Sequence, residues 1–159
     1  MTFRDEAPAL LGDEWTAADG EQVLMFEEYL AARLKEGNAE LALGPVGGKA
    51  LLHGHCHQKA FNAVPPVQQL LARIPGLAIE TVNSSCCGMA GAFGYQAETA
   101  EISRAMGELN LLPAVRNAGS AAIIVADGTS CRHQILDGAG RAAIHTATLL
   151  WQATNRAGI

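Results

Sequence analysis

The chain has 159 residues, 49% of them hydrophobic, and carries 11 Lys plus Arg against 16 Asp plus Glu for a formal charge of −5. That length supplies one domain with a real core and falls short of two, while the few scattered cations form no basic stripe, which excludes nucleic acid as a partner. No apolar run approaches the ~20 residues that span a bilayer, and the opening MTFRDEAPALL lacks the cationic and apolar regions of a secretion signal, so a soluble cytoplasmic protein without a membrane span is expected.

A single domain over 1–159 is therefore predicted, with an irregular lead-in at 1–18 marked by Pro8 and Gly12. Between 19 and 36 the residues Val23, Leu24, Phe26, Leu30, Ala31 and Leu34 recur at helical spacing; Asp19 is the predicted cap and Gly37 the stop. GPVGG at 44–48 reads as a turn and KALLH at 49–53 as a short strand, followed by a His-rich loop. A helix is predicted over 64–74, with Pro65 and Pro66 in its first turn and PG at 75–76 ending it. LAIETVN at 77–83 is the second strand. The loop SSCCGMAGAFGY leads into a helix over 96–112, and Pro113 opens a shorter one reaching Gly119. AAIIVAD at 121–127 is the clearest buried strand; GTSCRHQILDGAG follows it, and the last helix is placed at 139–154. Such alternation predicts an α/β fold, a small parallel sheet flanked by helices, because parallel strands need crossovers.

Each cysteine segment directly follows a predicted strand: Cys56 the first, Cys86 and Cys87 the second, Cys131 the third. In an open parallel sheet the loops beyond the carboxyl ends of the strands share one edge, where ligands bind. Four thiols are thus expected on one edge. They are too few for a disulfide scaffold, and a bond between the neighbours Cys86 and Cys87 would be strained. Thiolates gathered this way suit zinc or an iron–sulfur cluster. The chain has no CxxC pair, and adjacent cysteines point apart in an extended chain, so Gly88 must permit a bend. A multinuclear cluster accommodates such neighbours more readily than one metal ion.

The glycines Gly88, Gly91 and Gly94 let backbone N–H groups approach cluster sulfides or an anion ahead of a helix N-terminus. His53, His55 and His57 alternate; one of them, or His133 beyond Cys131, is placed to add a ligand, the alternative being hydrogen bonds around the site. Lys59 and Arg132 either lower thiol pKa values and hold an anion or are solvated surface charges. His145, Trp15 and Trp151 read as structural. A cysteine nucleophile with His55, His57 or His133 as base would use one thiol and leave three idle.

Together, HGHCH, SSCCGMAGAFG and DGTSCRHQI resemble the cysteine-rich CCG domain of heterodisulfide reductase B subunits and glycolate oxidase iron–sulfur subunits. The likeness is strongest to the C-terminal CCG module of bacterial fusions of an FAD-linked oxidase with a ferredoxin-like segment. In that pattern one cysteine precedes the pair and a CxxC follows it. Here 29 residues stand between Cys56 and Cys86 and 43 between Cys87 and Cys131, while Gly128 takes the place of the first cysteine of the CxxC. The resemblance implies metal ligation by Cys56, Cys86, Cys87 and Cys131, with His55, His57 or His133 in reserve for the missing thiol. Gly88, Gly91, Gly94, Lys59 and Arg132 would then line the cofactor. That cofactor would be an iron–sulfur cluster of the 4Fe–4S type, with zinc as the alternative and FAD confined to a partner. The implied partners are flavoprotein oxidase and ferredoxin-like domains or subunits. The implied role is a redox module in the oxidation of 2-hydroxy acids or in a heterodisulfide-reductase-like system, one component of a larger oxidoreductase. The alternative is a zinc-binding structural or docking module without redox activity.

Overall fold

The computed structural model describes residues 2–157; Met1, Gly158 and Ile159 of the predicted domain lie outside the described residues. Four strands, β1 (Lys49–His53), β2 (Ala78–Thr81), β3 (Ile123–Ala126) and β4 (Ala143–Ile144), form one sheet in the order β2-β1-β3-β4, with every neighbouring pair parallel. The helices are α1 (Thr2–Asp5), α2 (Ala7–Leu11), α3 (Ala17–Gln22), α4 (Phe26–Lys35), α5 (Cys56–Ala60), α6 (Val64–Leu71), α7 (Ala100–Leu109), α8 (Leu111–Asn117), α9 (Thr129–Ala139) and α10 (Thr146–Thr154). This is the α/β architecture that the alternation of elements predicts.

The central strands are apolar because both of their faces are covered. Ala50, Leu52 and Val125 pack with Val67, Leu70 and Leu71 of α6 and Leu149 and Leu150 of α10, and α4 closes the layer through Leu30 and Leu34. On the opposite face Leu51, Ile124 and Ala126 meet Leu111 and Val115 of α8 and Cys131 and Ile135 of α9. His53 shares the parity of Leu51, so the last side chain of β1 belongs to this second face. Burying one of these leucines is worth about 1.5–3 kcal/mol, and both layers draw on several.

From β1 the chain moves outward to β2, then crosses back to place β3 on the other side of β1. The carboxyl ends of β1 and β3 lie side by side, with His53 paired to Ala126, while their following segments diverge onto opposite faces. That reversal opens a crevice, the usual ligand position in this class of sheet.

Several features differ from the sequence expectation. The lead-in at 1–18 is not irregular: α1, α2 and the start of α3 occupy it. The single helix expected over 19–36 is two, broken at 23–25. Thr16 rather than Asp19 caps α3, its Oγ1 accepting the Asp19 N–H at 3.3 Å while Asp19 accepts the Thr16 N–H at 2.9 Å. The apolar period misled because Leu24 and Phe26, 47% and 48% exposed, face outward rather than into a core. GTSCRHQILDGAG folds as α9, closed by Gly140 at φ 63, and the two-residue β4 precedes a later start for α10. Trp151, expected to pack, is 63% exposed, whereas Trp15 stacks on Phe3. No helix among the described residues is long and apolar enough to cross a membrane.

Candidate metal centre

Three chain segments leave the sheet at the crevice and carry all four cysteines. After β1, His55 takes an extended conformation and caps α5, accepting the His57 N–H on Nδ1 at 3.3 Å and donating its own N–H to Gln58 Oε1 at 2.9 Å. The expected His-rich loop is thus folded into a short helix that begins at Cys56. After β2, Cys86 and Cys87 lie in a loop turned by Gly88 at φ +96, and the Gly88 N–H donates to Cys86 Sγ at 3.3 Å. A Cβ at Gly88 would stand 2.2 Å from the Ser103 carbonyl oxygen in α7, so only glycine lets the loop lie against that helix. After β3, Gly128 caps α9, and Cys131 sits in its first turn.

Cys87 and Cys131 are buried, Cys56 and Cys86 are partly exposed, and all four are free thiols. A ring nitrogen of His53 and the sulfurs of Cys87 and Cys131 lie within 4.8 Å of one another. The hydrogen bond from the Cys131 thiol holds Cys87 down at about 4, with His53 helping, and the same bond drives Cys131 upward. One thiolate and one thiol therefore share a proton at the base of the site. His53 Nδ1 is 2.9 Å from Ser84 Oγ, while its Nε2 is buried with no hydrogen-bond partner. That imidazole, buried beside two thiols, completes a donor set suited to a metal.

Nearer the surface, His55, Cys56 and His57 form a second set whose donor atoms lie within 4.8 Å of one another. Among the described residues no group brings all four sulfurs within that distance. Lys59 feels all four: burial pushes its ammonium down, and the cysteines, Cys131 first, oppose that. The Lys59 ammonium donates to the Ser84 and Ser85 carbonyls, tying α5 to the loop before Cys86. Burial pushes the Cys86 thiol up and the His55 imidazole down.

The remaining residues singled out in the sequence are placed as follows. His57 Nε2 is 3.3 Å from the Asp5 carboxylate at the end of α1. His133 is exposed on α9 beside Tyr95, ring centroids 6.5 Å apart, away from the thiols. The Arg132 guanidinium donates to the Ala126 and Asp127 carbonyls at 3.0 and 2.7 Å, fastening the end of β3. Gly94 fits under Met89 and Ser103, where a Cβ would meet Met89 Sδ at 2.2 Å, whereas nothing lies within 4 Å of a Cβ at Gly91. Of the three alternating histidines, His53 is the one set beside the buried Cys87 and Cys131, in keeping with its strand parity with Leu51.

The profile of the CCG family, described as a cysteine-rich domain, matches residues 50–136. The chain is 31% identical over 153 residues to one of the subunits of the anaerobic glycerol-3-phosphate dehydrogenase of Escherichia coli (strain K12), covering 96% of this chain and 38% of that protein. It is 32% identical over 139 residues to D-2-hydroxyglutarate dehydrogenase of Escherichia coli (strain K12) and 29% over 136 residues to that of Pantoea ananatis, covering 85% of this chain and 13% of each relative. The chain thus spans well under half the length of these relatives. No solved structure matches it significantly.

Proposed function

From the premise that this chain belongs to the CCG cysteine-rich domain family, we propose that it is an iron–sulfur-binding redox module serving a dehydrogenase. The observation that carries this reading is that the three segments leaving the sheet at the crevice bring Cys87 and Cys131 together with a His53 ring nitrogen, set Cys56 beside His55 and His57, and hold Cys86 next to Cys87. The spread of the sulfurs favours a cluster. A lone zinc ion at ~2.3 Å from each sulfur would gather four thiolates more tightly than these residues gather them, whereas the separate irons of a cluster reach ligands further apart.

Cys56, Cys86, Cys87 and Cys131 would hold the cluster. His55 stands where a thiol at 128 would have stood: a Cβ on Gly128 would be 2.3 Å from His55 Cδ2 and 2.9 Å from Cys131 Sγ. His55 is accordingly the replacement for the absent cysteine, and His53 backs the buried pair. A bound cluster supplies one-electron transfer. The protein's own contribution is to bury two of the thiols, keep one ionised, and set a cation beside the accumulating negative charge.

The relatives are named for the oxidation of glycerol-3-phosphate and D-2-hydroxyglutarate, alcohols whose dehydrogenation delivers two electrons. The module takes up such electrons one at a time from a flavoprotein partner or fused domain and passes them on through ferredoxin-like clusters, working in the cytoplasm as one component of the enzyme. The buried trio of His53, Cys87 and Cys131 supports a second reading, a mononuclear zinc site that fixes the loops for docking.

Visible absorption and metal analysis of anaerobically purified protein separate the two. Broad charge-transfer absorption with iron and acid-labile sulfide is expected. Colourless protein with stoichiometric zinc would replace the redox reading by the docking one.

A further inference from the structure

Beside the thiols an open cleft of about 290 Å³ lies among the N-terminal turns of α4, α5, α9 and α10, with His55 and Gly128 on the wall it shares with the cysteine site. Glu27, Asp127 and His145 line it, and none of them belongs to the cysteine set. Asp127 is well satisfied: Oδ1 accepts the Thr146 N–H at 2.8 Å and Oδ2 accepts Gln58 Nε2 at 2.7 Å. Glu27 is only 3% exposed, yet its Oε1 has no hydrogen-bond partner. A buried carboxyl oxygen without a donor is unfavourable unless a group from outside the chain meets it.

The third member sharpens the point. His145 Nδ1 accepts the Ala147 N–H at 3.0 Å, which places the imidazole proton on Nε2. With its lone pair engaged there, Nδ1 lies 3.4 Å from Asp127 Oδ1 and 3.8 Å from Glu27 Oε1 and donates to neither. Burial and the Asp127 carboxylate beside it push the Glu27 carboxyl up. No lysine or arginine among the described residues forms an ion pair with either carboxylate.

We propose that this cleft binds a divalent, oxygen-preferring cation between Glu27 and Asp127, with His145 as the third donor. Two carboxylates suit Mg²⁺ or Mn²⁺, and the mouth of the cleft leaves positions for water or a ligand oxygen. His145 joins only by releasing the Ala147 N–H, so the carboxylates carry most of the affinity. Gln58 links this cation to the cysteine site, because the same side chain that donates to Asp127 accepts the His55 N–H.

Mn²⁺ titration of the full chain, purified anaerobically and followed by the electron paramagnetic resonance of free Mn²⁺, tests the assignment. Manganese is chosen because thiolates prefer softer ions. Saturable binding is expected, weakened ~10-fold or more by Glu27→Gln and by Asp127→Asn, and less by His145→Asn, which keeps a capping side chain. Glu27→Gln decides the matter if Asp127→Asn misfolds, since Glu27 Oε1 gives up no internal bond. Cys87→Ser is expected to retain saturable Mn²⁺ binding. The proposal falls if no saturable binding occurs, if Glu27→Gln binds as tightly as the parent, or if Cys87→Ser abolishes binding, which would put the manganese in the thiol site.

Discussion

The His55 ring fills the space that any side chain at Gly128 would need, 2.3 Å from the Cβ position there. Position 128 therefore cannot gain a thiol while His55 stays in place. Gly128→Cys alone is expected to destabilise the protein by about 1–3 kcal/mol through overpacking and to lower its metal content. Combining it with His55→Ala should restore both, and His55→Ala alone should lose metal without losing much stability. Denaturant midpoints and metal-to-protein ratios for the three variants provide the check; a fully stable, fully loaded Gly128→Cys single variant would show that His55 holds no ligand position.

The proton shared by Cys87 and Cys131 makes the stability of the metal-stripped protein depend on pH. Cys87 is held at about 4 against 9.0 for an ordinary thiol, so its contribution is present in full above 9.0 and drains away as pH falls across that window. Cys131 is shifted the other way by the same bond, so its contribution holds below 9.0 and is lost above it. Metal-stripped protein should thus gain stability as pH rises between those limits. Urea unfolding across the window should give a clear positive slope for the parent and a shallower one for Cys131→Ala, where the thiol that stabilises the Cys87 thiolate is gone.

The centre of this fold was legible because KALLH and AAIIVAD are apolar on both faces, as only interior parallel strands are. The cysteines could be assigned to one edge for the same reason: each follows a strand directly. What the pattern hid were short elements supported by tertiary contacts. α5 has five residues and depends on the reciprocal bonds of His55 and Gln58, and β4 has two and exists through its pairing with Ile124 and Val125. α9 buries Cys131, Gln134 and Ile135 at helical spacing, but a thiol and an amide do not register as an apolar stripe. Glu27 was hidden most completely, as one acid among several on a helix whose meeting with Asp127 and His145 joins residues far apart in the chain.

Gly88 and Gly91 share a loop and a left-handed backbone but should respond differently to alanine. At Gly91, φ +69 with open space around the new Cβ, the expected cost is the backbone term alone, about 1–2 kcal/mol. At Gly88 the new Cβ would also press on the Ser103 carbonyl of α7 at 2.2 Å, and helix backbone does not yield easily. The loop must move instead, carrying Cys86 and Cys87 with it. Gly88→Ala is expected to be the less stable variant and to lose metal, while Gly91→Ala retains it; equal metal content in the two would separate the Gly88 contact from the thiol geometry.

Lys59 serves the site twice, and the two services can be told apart. Its ammonium fastens the Ser84 and Ser85 carbonyls, and Ser84 Oγ in turn meets His53 Nδ1 at 2.9 Å, so the cation positions both the Cys86–Cys87 loop and the buried imidazole. Its charge also lies within the field of the four sulfurs. Lys59→Met keeps the apolar stem and removes both effects; a loss of about 1.5–3 kcal/mol and a ~10–100-fold fall in metal affinity are expected. Lys59→Gln restores a donor for the carbonyls without the charge, so it should recover much of the stability. Its reduction potential should still lie below that of the parent, because a reduced centre carries one more negative charge and has lost the cation that offset it. Unfolding midpoints and potentiometric titration of the two variants read these effects independently. An unchanged potential in Lys59→Gln would reduce Lys59 to a tether of the loop.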